Sequence, residues 1–146
     1  MRIYLDTCSV NRPLDDKNQS RIALEAEAIL AVLSACDAGL HALVSSDILL
    51  FEIGRNPHPQ RNALASEIVA RAVDNIALTD SIRDRAQVFE KAGIRPLDAL
   101  HLAAAEAGNV DFFCTCDDRL YKRAKGWLDV QVRVLTPLEL AQEVLP

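Results

Sequence analysis

Short apolar strands alternating with helical stretches predict a single three-layer α/β/α domain spanning residues 1–146, with a central parallel sheet of about five strands. Three observations carry that prediction. Ile3–Tyr4–Leu5, the runs near 41–44 and 110–115, and Val132–Arg133–Val134–Leu135 are brief, apolar and β-prone. Capped or amphipathic helical segments separate them. The chain also has no internal repeat, low-complexity run or linker, and at 146 residues it can bury about 68–70% of its unfolded surface as one unit.

Taken in order, Ile3–Tyr4–Leu5 is a buried strand that runs into the polar turn Asp6–Thr7, and Asn11–Arg12–Pro13 with Asp15–Asp16 reads as a loop. A helix covers about Asn18–Asp37. Ile22, Ala26, Ile29, Leu33 and Cys36 form its core stripe, Arg21 and Glu25 fall on the other side, and Gly39 stops it. His41–Ala42–Leu43–Val44 is the second strand. Ser45, Ser46 and Asp47 offer caps for a helix through Ile48–Ile53, which Asn56–Pro57–His58–Pro59 breaks. A helix over roughly Gln60–Val73 leads to a third strand at Ile76–Ala77–Leu78. Asp80 or Ser81 caps the next helix, which ends near Ala92–Gly93.

Pro96 opens the central helix because a first-turn residue needs no N–H partner, and Gly108 with Asn109 ends it. The strand Val110–Thr115 follows, closing on Cys116–Asp117–Asp118. Arg119–Ala124 is helical, Val132–Leu135 is the last strand, and Pro137–Leu138 begins a closing helix.

Half of the residues are hydrophobic and 25% are charged, as in a soluble globular protein. Only 5% are aromatic, which leaves few platforms for stacking bases. The formal net charge of −5 argues against a binder held to nucleic acid by charge alone, yet suits an enzyme that concentrates carboxylates around cations. An acid at position 6 comes too soon for a signal peptide, and no apolar run approaches the ~20 residues of a membrane span, so a cytoplasmic, membrane-free protein is expected. Cys8, Cys36, Cys114 and Cys116 lack zinc-ligand spacing and are expected to be reduced thiols.

The acids carry the functional signal. Ligands of open parallel sheets bind beyond the carboxyl ends of the strands, where Asp6 and Asp117 fall. Asp98 lies in the first turn of the central helix, where it either complements the helix dipole or points into a cleft. Glu52 sits inside an apolar helix, where a carboxylate is costly unless it meets solvent or a cation. One rim can receive Asp6, Glu52, Asp98 and Asp117. Carboxylates gathered there would raise each other's pKa values unless a hard cation such as Mg²⁺ or Mn²⁺ joined them. Metal-assisted phosphodiester hydrolysis is the chemistry such a pocket suits.

Around those four stand residues with two readings each. His101 steadies Asp98 or merely packs. Thr7 and Thr115 orient a carboxylate, bind phosphate, or simply end strands. Asp118 competes with Asp117 as ligand or cap. Arg119, Lys122, Arg123 and Lys125, with Tyr121 among them, grip a nucleic-acid backbone or form a solvated helix face, and Arg12 is a second phosphate candidate.

With these positions in hand, the chain resembles the PIN-domain nucleases, in particular the VapC-like toxins of prokaryotic toxin–antitoxin pairs. The matching pieces, in order, are Leu5–Asp6–Thr7, Ser46 to Glu52, Pro96–Leu97–Asp98–Ala99–Leu100–His101–Leu102–Ala103, and Phe113–Cys114–Thr115–Cys116–Asp117–Asp118–Arg119. The third is the most specific. The resemblance implies a PIN-like fold, endoribonuclease activity dependent on Mg²⁺ or Mn²⁺, metal ligation by Asp6, Asp98 and Asp117, and Glu52 as the fourth acid. It also implies an RNA substrate, a homodimer and a small antitoxin partner. Arg12–Pro13 with Asp15–Asp16 lies outside the common pattern.

Two rival classes frame the expectation. A receiver-like phosphoryl-transfer protein needs adjacent acids after the first strand and a lysine closing a late one, whereas this chain has Asp6–Thr7–Cys8 and Arg133. A catalytically degenerate PIN-like scaffold binding RNA or protein is the alternative without chemistry.

Overall fold

The computed structural model describes residues 1–127 and 129–146. Five parallel strands, β1 (Arg2–Leu5), β2 (Ala42–Ser46), β3 (Asp74–Ile76), β4 (Phe112–Cys114) and β5 (Arg133–Leu135), form one sheet in the order β3-β2-β1-β4-β5. The described helices are α1 (Thr7–Asn11), α2 (Ser20–Asp37), α3 (Asp47–Gly54), α4 (Pro59–Val69), α5 (Asp80–Lys91), α6 (Pro96–Ala107), α7 (Asp118–Lys125) and α8 (Pro137–Val144), with a 3₁₀ turn at Arg12–Leu14. The three-layer architecture expected from the alternation is the one observed.

Period-two alternation divides the core between the sheet faces. Ile3, Leu5, Leu43, Phe112 and Cys114 pack on one side with Ile29, Val32 and Leu33 of α2 and Leu140 of α8. Tyr4, Val44 and Phe113 pack on the other with Phe89 of α5, Leu102 of α6 and Leu120 of α7. Helices cover both faces, so the central strands read as continuous apolar runs.

Strand order locates the functional end. From β1 the chain steps outward through β2 to β3, then returns to the opposite side of β1 as β4. The order reverses between β1 and β4, and the crevice beyond their carboxyl ends is the switch point where open α/β sheets bind ligands. Asp6 follows β1 directly, and its backbone N–H donates to the Cys114 carbonyl at the end of β4 (3.1 Å). Asp117 stands three residues beyond β4 as the N-cap of α7.

Several sequence expectations are corrected. The polar turn after Asp6 is the short helix α1, capped by Asp6 itself. Glu25 does not lie on a solvent face: it is buried, with its carboxylate 3.4 Å from both Arg12 Nε and Arg21 Nε. Thr79, rather than Asp80 or Ser81, caps α5 by accepting from Ile82 N–H (3.2 Å), because Ile82, Ala86 and Phe89 must face the core. The third strand is Asp74–Ile76, two residues earlier than its apolar run, since an edge strand needs only Ile76 inside while Arg2 pairs with the exposed Asp74 (2.9 Å). The fourth helix ends at Val69 instead of Val73, leaving the chain free to enter that strand. Ser46 caps α3, whereas Ser45 stays within β2. Pro96 and Gly108 bound α6 as read from sequence, with Asn109 at φ 53°.

Candidate active site

Four acids from distant parts of the chain line one cavity of about 280 Å³ at the switch point: Asp6, Glu52, Asp98 and Asp117, together with Thr7 and His101. Each acid arrives by a different local device. Asp6, buried at the end of β1, caps α1 through Oδ1, which accepts from Ser9 N–H (3.0 Å) and the Cys8 thiol (3.1 Å). Asp117 Oδ1 accepts from the N–H groups of Arg119 (2.9 Å) and Leu120 (3.2 Å). Helix capping therefore engages one oxygen of each aspartate, and no hydrogen bond among the described residues engages the other. Neither oxygen of Asp98 has a partner there.

The electrostatics show what this gathering costs. Asp98 is pushed up to about 6, first by burial and then by the like charges of Asp6 and Asp117, with Glu52 adding to them and His101 opposing. Glu52 goes the other way. Burial raises it, but hydrogen bonds from His101 and Thr7 outweigh that effect and hold the carboxyl below its ordinary range. The four acids thus comprise one that resists ionisation and one that is kept ionised.

Glu52 owes its position to a buried chain of hydrogen bonds. Its Oε1 accepts from Thr7 Oγ1 (2.9 Å) and contacts His101 Nε2. On the far side of the ring, His101 Nδ1 lies 2.6 Å from the Tyr4 hydroxyl, which lies 2.6 Å from Ser46 Oγ. Ser46 Oγ in turn accepts from Leu49 N–H (3.1 Å). A proton arrangement in which Ser46 donates to Tyr4, Tyr4 to Nδ1, and Nε2 to Glu52 satisfies every member. His101 is 1% exposed and its bond to Tyr4 is buried, whereas the bonds to Glu52 are part-buried at the cavity. Of the two sequence readings of His101, steadying Asp98 or packing, its ring is buried and meets Glu52 rather than Asp98. The signal that could have found this pairing is weak, since nothing local links Tyr4, Ser46 and His101.

The remaining candidates divide by their partners. Thr7 lines the cavity. Thr115 is buried beneath it, its hydroxyl accepting from Asp117 N–H (3.0 Å) and so setting the end of β4. Asp118 turns outward into a bidentate pair with Arg21 (2.7 and 2.8 Å), away from the cavity that Asp117 lines. Arg12 is tied to Asp15 (3.0 Å) and to the buried Glu25. In the basic patch Lys125 is held by Tyr121 (2.6 Å) and Glu139 (3.1 Å), whereas Arg119 stands beside Asp98 and Asp117. All four cysteines are free thiols.

Two larger hollows lack this character. One of about 330 Å³, between α7, β5 and α8, has its charges matched as Lys125–Glu139 and Arg133–Glu143. Another of about 390 Å³, beside α5 and α6, holds Arg85 engaged by Glu106 and Asp129. Unmatched negative charge is what distinguishes the switch-point cavity.

Asp6, Asp98 and Asp117 are the groups suited to a cation. They offer hard oxygen donors with unengaged lone pairs, and the carboxyl of Asp98 is raised by burial and by the like charges of Asp6 and Asp117. Among the described residues, no three His, Cys, Asp or Glu side chains are drawn close enough to clasp an ion by themselves. The donor chemistry fits a hard divalent ion that keeps part of its water shell.

The fold and the site together define an α/β protein with an acid-lined crevice at the switch point of a five-stranded parallel sheet. The family is shown by sequence: the model for the PIN domain matches residues 3–126, and the chain belongs to that family. A search of the curated proteins returned no match. Solved structures share its fold, among them the following three. VapBC-1 from nontypeable Haemophilus influenzae aligns with a TM-score of 0.60 and 17% identity over 94% of this chain and 99% of that one. FitAcB from Neisseria gonorrhoeae aligns with a TM-score of 0.56 and 16% identity, covering 93% and 98%. VapBC2 from Rickettsia felis, bound to a DNA fragment from their promoter, aligns with a TM-score of 0.55 and 16% identity, covering 93% and 98%.

Proposed function

We propose that this protein is a divalent-metal-dependent endoribonuclease acting as the toxin of a toxin–antitoxin pair. The observation that carries the reading is the convergence of Asp6, Glu52, Asp98 and Asp117 on one cavity in a PIN-domain chain. Asp6, Asp98 and Asp117 would hold Mg²⁺ or Mn²⁺, which when bound supplies positive charge against the phosphoryl oxygens. Glu52, kept ionised by its hydrogen bonds, orients the attacking water and accepts its proton. Thr7 and His101 fix the direction of that carboxylate. Arg119, at the edge of the acids, faces the path of an anionic backbone.

Likeness to VapBC-1 and FitAcB supports a small antitoxin partner. A homodimer and cytoplasmic residence belong to the same reading. Among the described residues, no helix is long and apolar enough to cross a membrane. A non-cutting scaffold is the second reading, favoured by the lack of a closed trio of ligands among the described residues.

Incubating purified protein with single-stranded RNA decides between them. Cleavage with Mg²⁺ or Mn²⁺, its loss in EDTA, and its loss in an Asp6→Asn variant are the expected results. RNA left intact by folded protein under every metal condition refutes the nuclease.

A further inference from the structure

A small cleft of about 10 Å³ adjoins the acid cavity and shares two of its lining residues, Asp98 and Asp117. Its other side carries three exposed arginines: Arg95 from the turn before α6, and Arg119 and Arg123 from α7. Among the described residues, none of their guanidinium groups forms an ion pair or hydrogen bond. That sets them apart in an acidic protein whose other arginines are largely matched, as with Arg21–Asp118, Arg61–Asp15, Arg71–Asp37 and Arg85–Glu106. Nor do they pair with the adjacent Asp98 and Asp117, so the cleft sets opposite charges side by side without joining them.

Gly93 explains how one arginine is seated. Its φ is +96°, in the region that glycine adopts without strain. A Cβ built there would lie 2.4 Å from Arg123 Nη1 and 3.1 Å from Cζ. The guanidinium of α7 thus rests against bare backbone at the α5–α6 turn, which brings Arg123 alongside Arg95.

We propose that Arg95, Arg119 and Arg123 form a phosphate-binding subsite that grips the backbone of single-stranded RNA beside the scissile bond. The proposal rests on the nuclease reading for its substrate, but makes its own claim about which side of the cavity the strand follows. Three planar forks fit phosphate oxygens in a way that ammonium groups do not, and among the described residues none of them is engaged by a hydrogen bond or ion pair. Lys125, held by Tyr121 and Glu139, is excluded from the subsite although it belongs to the same basic stretch of sequence.

Fluorescence anisotropy of a short labelled single-stranded RNA of random sequence, in EDTA and over about 50–200 mM salt, tests this by the salt slope of binding. Each phosphate contact on a single strand contributes about 0.7 to that slope, so replacing all three arginines by alanine should lower it by about 2 and weaken binding about tenfold or more. Lys122→Ala, outside the cleft, should leave binding near wild type. The triple lysine variant keeps the charges and should retain most of the slope, which separates loss of contact from loss of fold. An unchanged slope in the alanine variant overturns the subsite, as does a wild-type protein that does not bind RNA. Cleavage with Mg²⁺ or Mn²⁺ is read in parallel: cutting with an unchanged slope leaves the nuclease and removes the subsite, while an arginine-dependent slope without cutting does the reverse.

Discussion

Asp98 shows the conflict in this site at the scale of one residue. Its ionised form is opposed by burial and by Asp6 and Asp117, so the folded protein holds its proton up to about pH 6, whereas the unfolded chain releases it near 3.8. Between those values the native state binds more protons than the unfolded one, so this carboxyl lowers stability as pH rises through the window. Above about pH 6 the full penalty is present. Asp98→Asn removes the charge at nearly constant volume. In metal-free buffer at pH 7.5 it should stabilise by about 1–2 kcal/mol, allowing for solvent screening at a half-buried group, or by roughly 3–6 °C in melting temperature. The gain should vanish toward pH 4 while RNA cleavage is abolished. A variant melting below wild type at pH 7.5, measured by circular dichroism, would show that Asp98 is not strained by its neighbours.

At the scale of elements, the site depends on contacts that tie β1, β2, α3 and α6 together through Tyr4, Ser46, Glu52 and His101. Tyr4→Phe deletes one oxygen yet strands two groups, His101 Nδ1 and the Ser46 hydroxyl, inside the core. A buried unsatisfied group costs about 1–3 kcal/mol, so the variant should unfold at measurably lower urea than wild type. His101→Asn should lower kcat about tenfold to a hundredfold with little change in RNA affinity, because it frees Glu52 without touching the arginine cleft. A fall in affinity matching the fall in kcat would place His101 on the substrate path instead.

The elements themselves were largely legible. Pro96 and Gly108 mark α6 because proline and glycine act locally on the backbone. Thr79–Asp80–Ser81 was ambiguous for the same reason in reverse: all three can cap, and only the burial of Ile82 and Phe89 selects Thr79. Helix α1 leaves no sequence signal because Thr7–Asn11 is too short to show a period, and its cap, Asp6, also fits a strand end.

At the scale of the whole molecule, three helix starts and one helix interior deliver negative charge to one crevice of a protein already at −5. Such an arrangement is least stable when no cation is present. Millimolar Mg²⁺ or Mn²⁺ should therefore raise the melting temperature of wild type through preferential binding to the native state, and by less in Asp98→Asn. Equal shifts in the two proteins, followed by differential scanning fluorimetry, would mean that the ion binds elsewhere.

Sequence alone determined the alternating strands and helices, the order of the four acids and the terminal positions of Asp6 and Asp117, since these follow from local periodicity and from the rule that parallel strands all end at one rim. Only the tertiary structure decided that His101 serves Glu52, that Asp118 and Arg12 are engaged elsewhere, and that Arg95 joins Arg119 and Arg123 across a cleft. The physical reason is that a side chain's partner depends on which residues the fold brings within hydrogen-bonding distance, and pairs separated by 45 to 109 positions, such as Thr7 with Glu52 or Arg2 with Asp111, leave no trace in spacing along the chain.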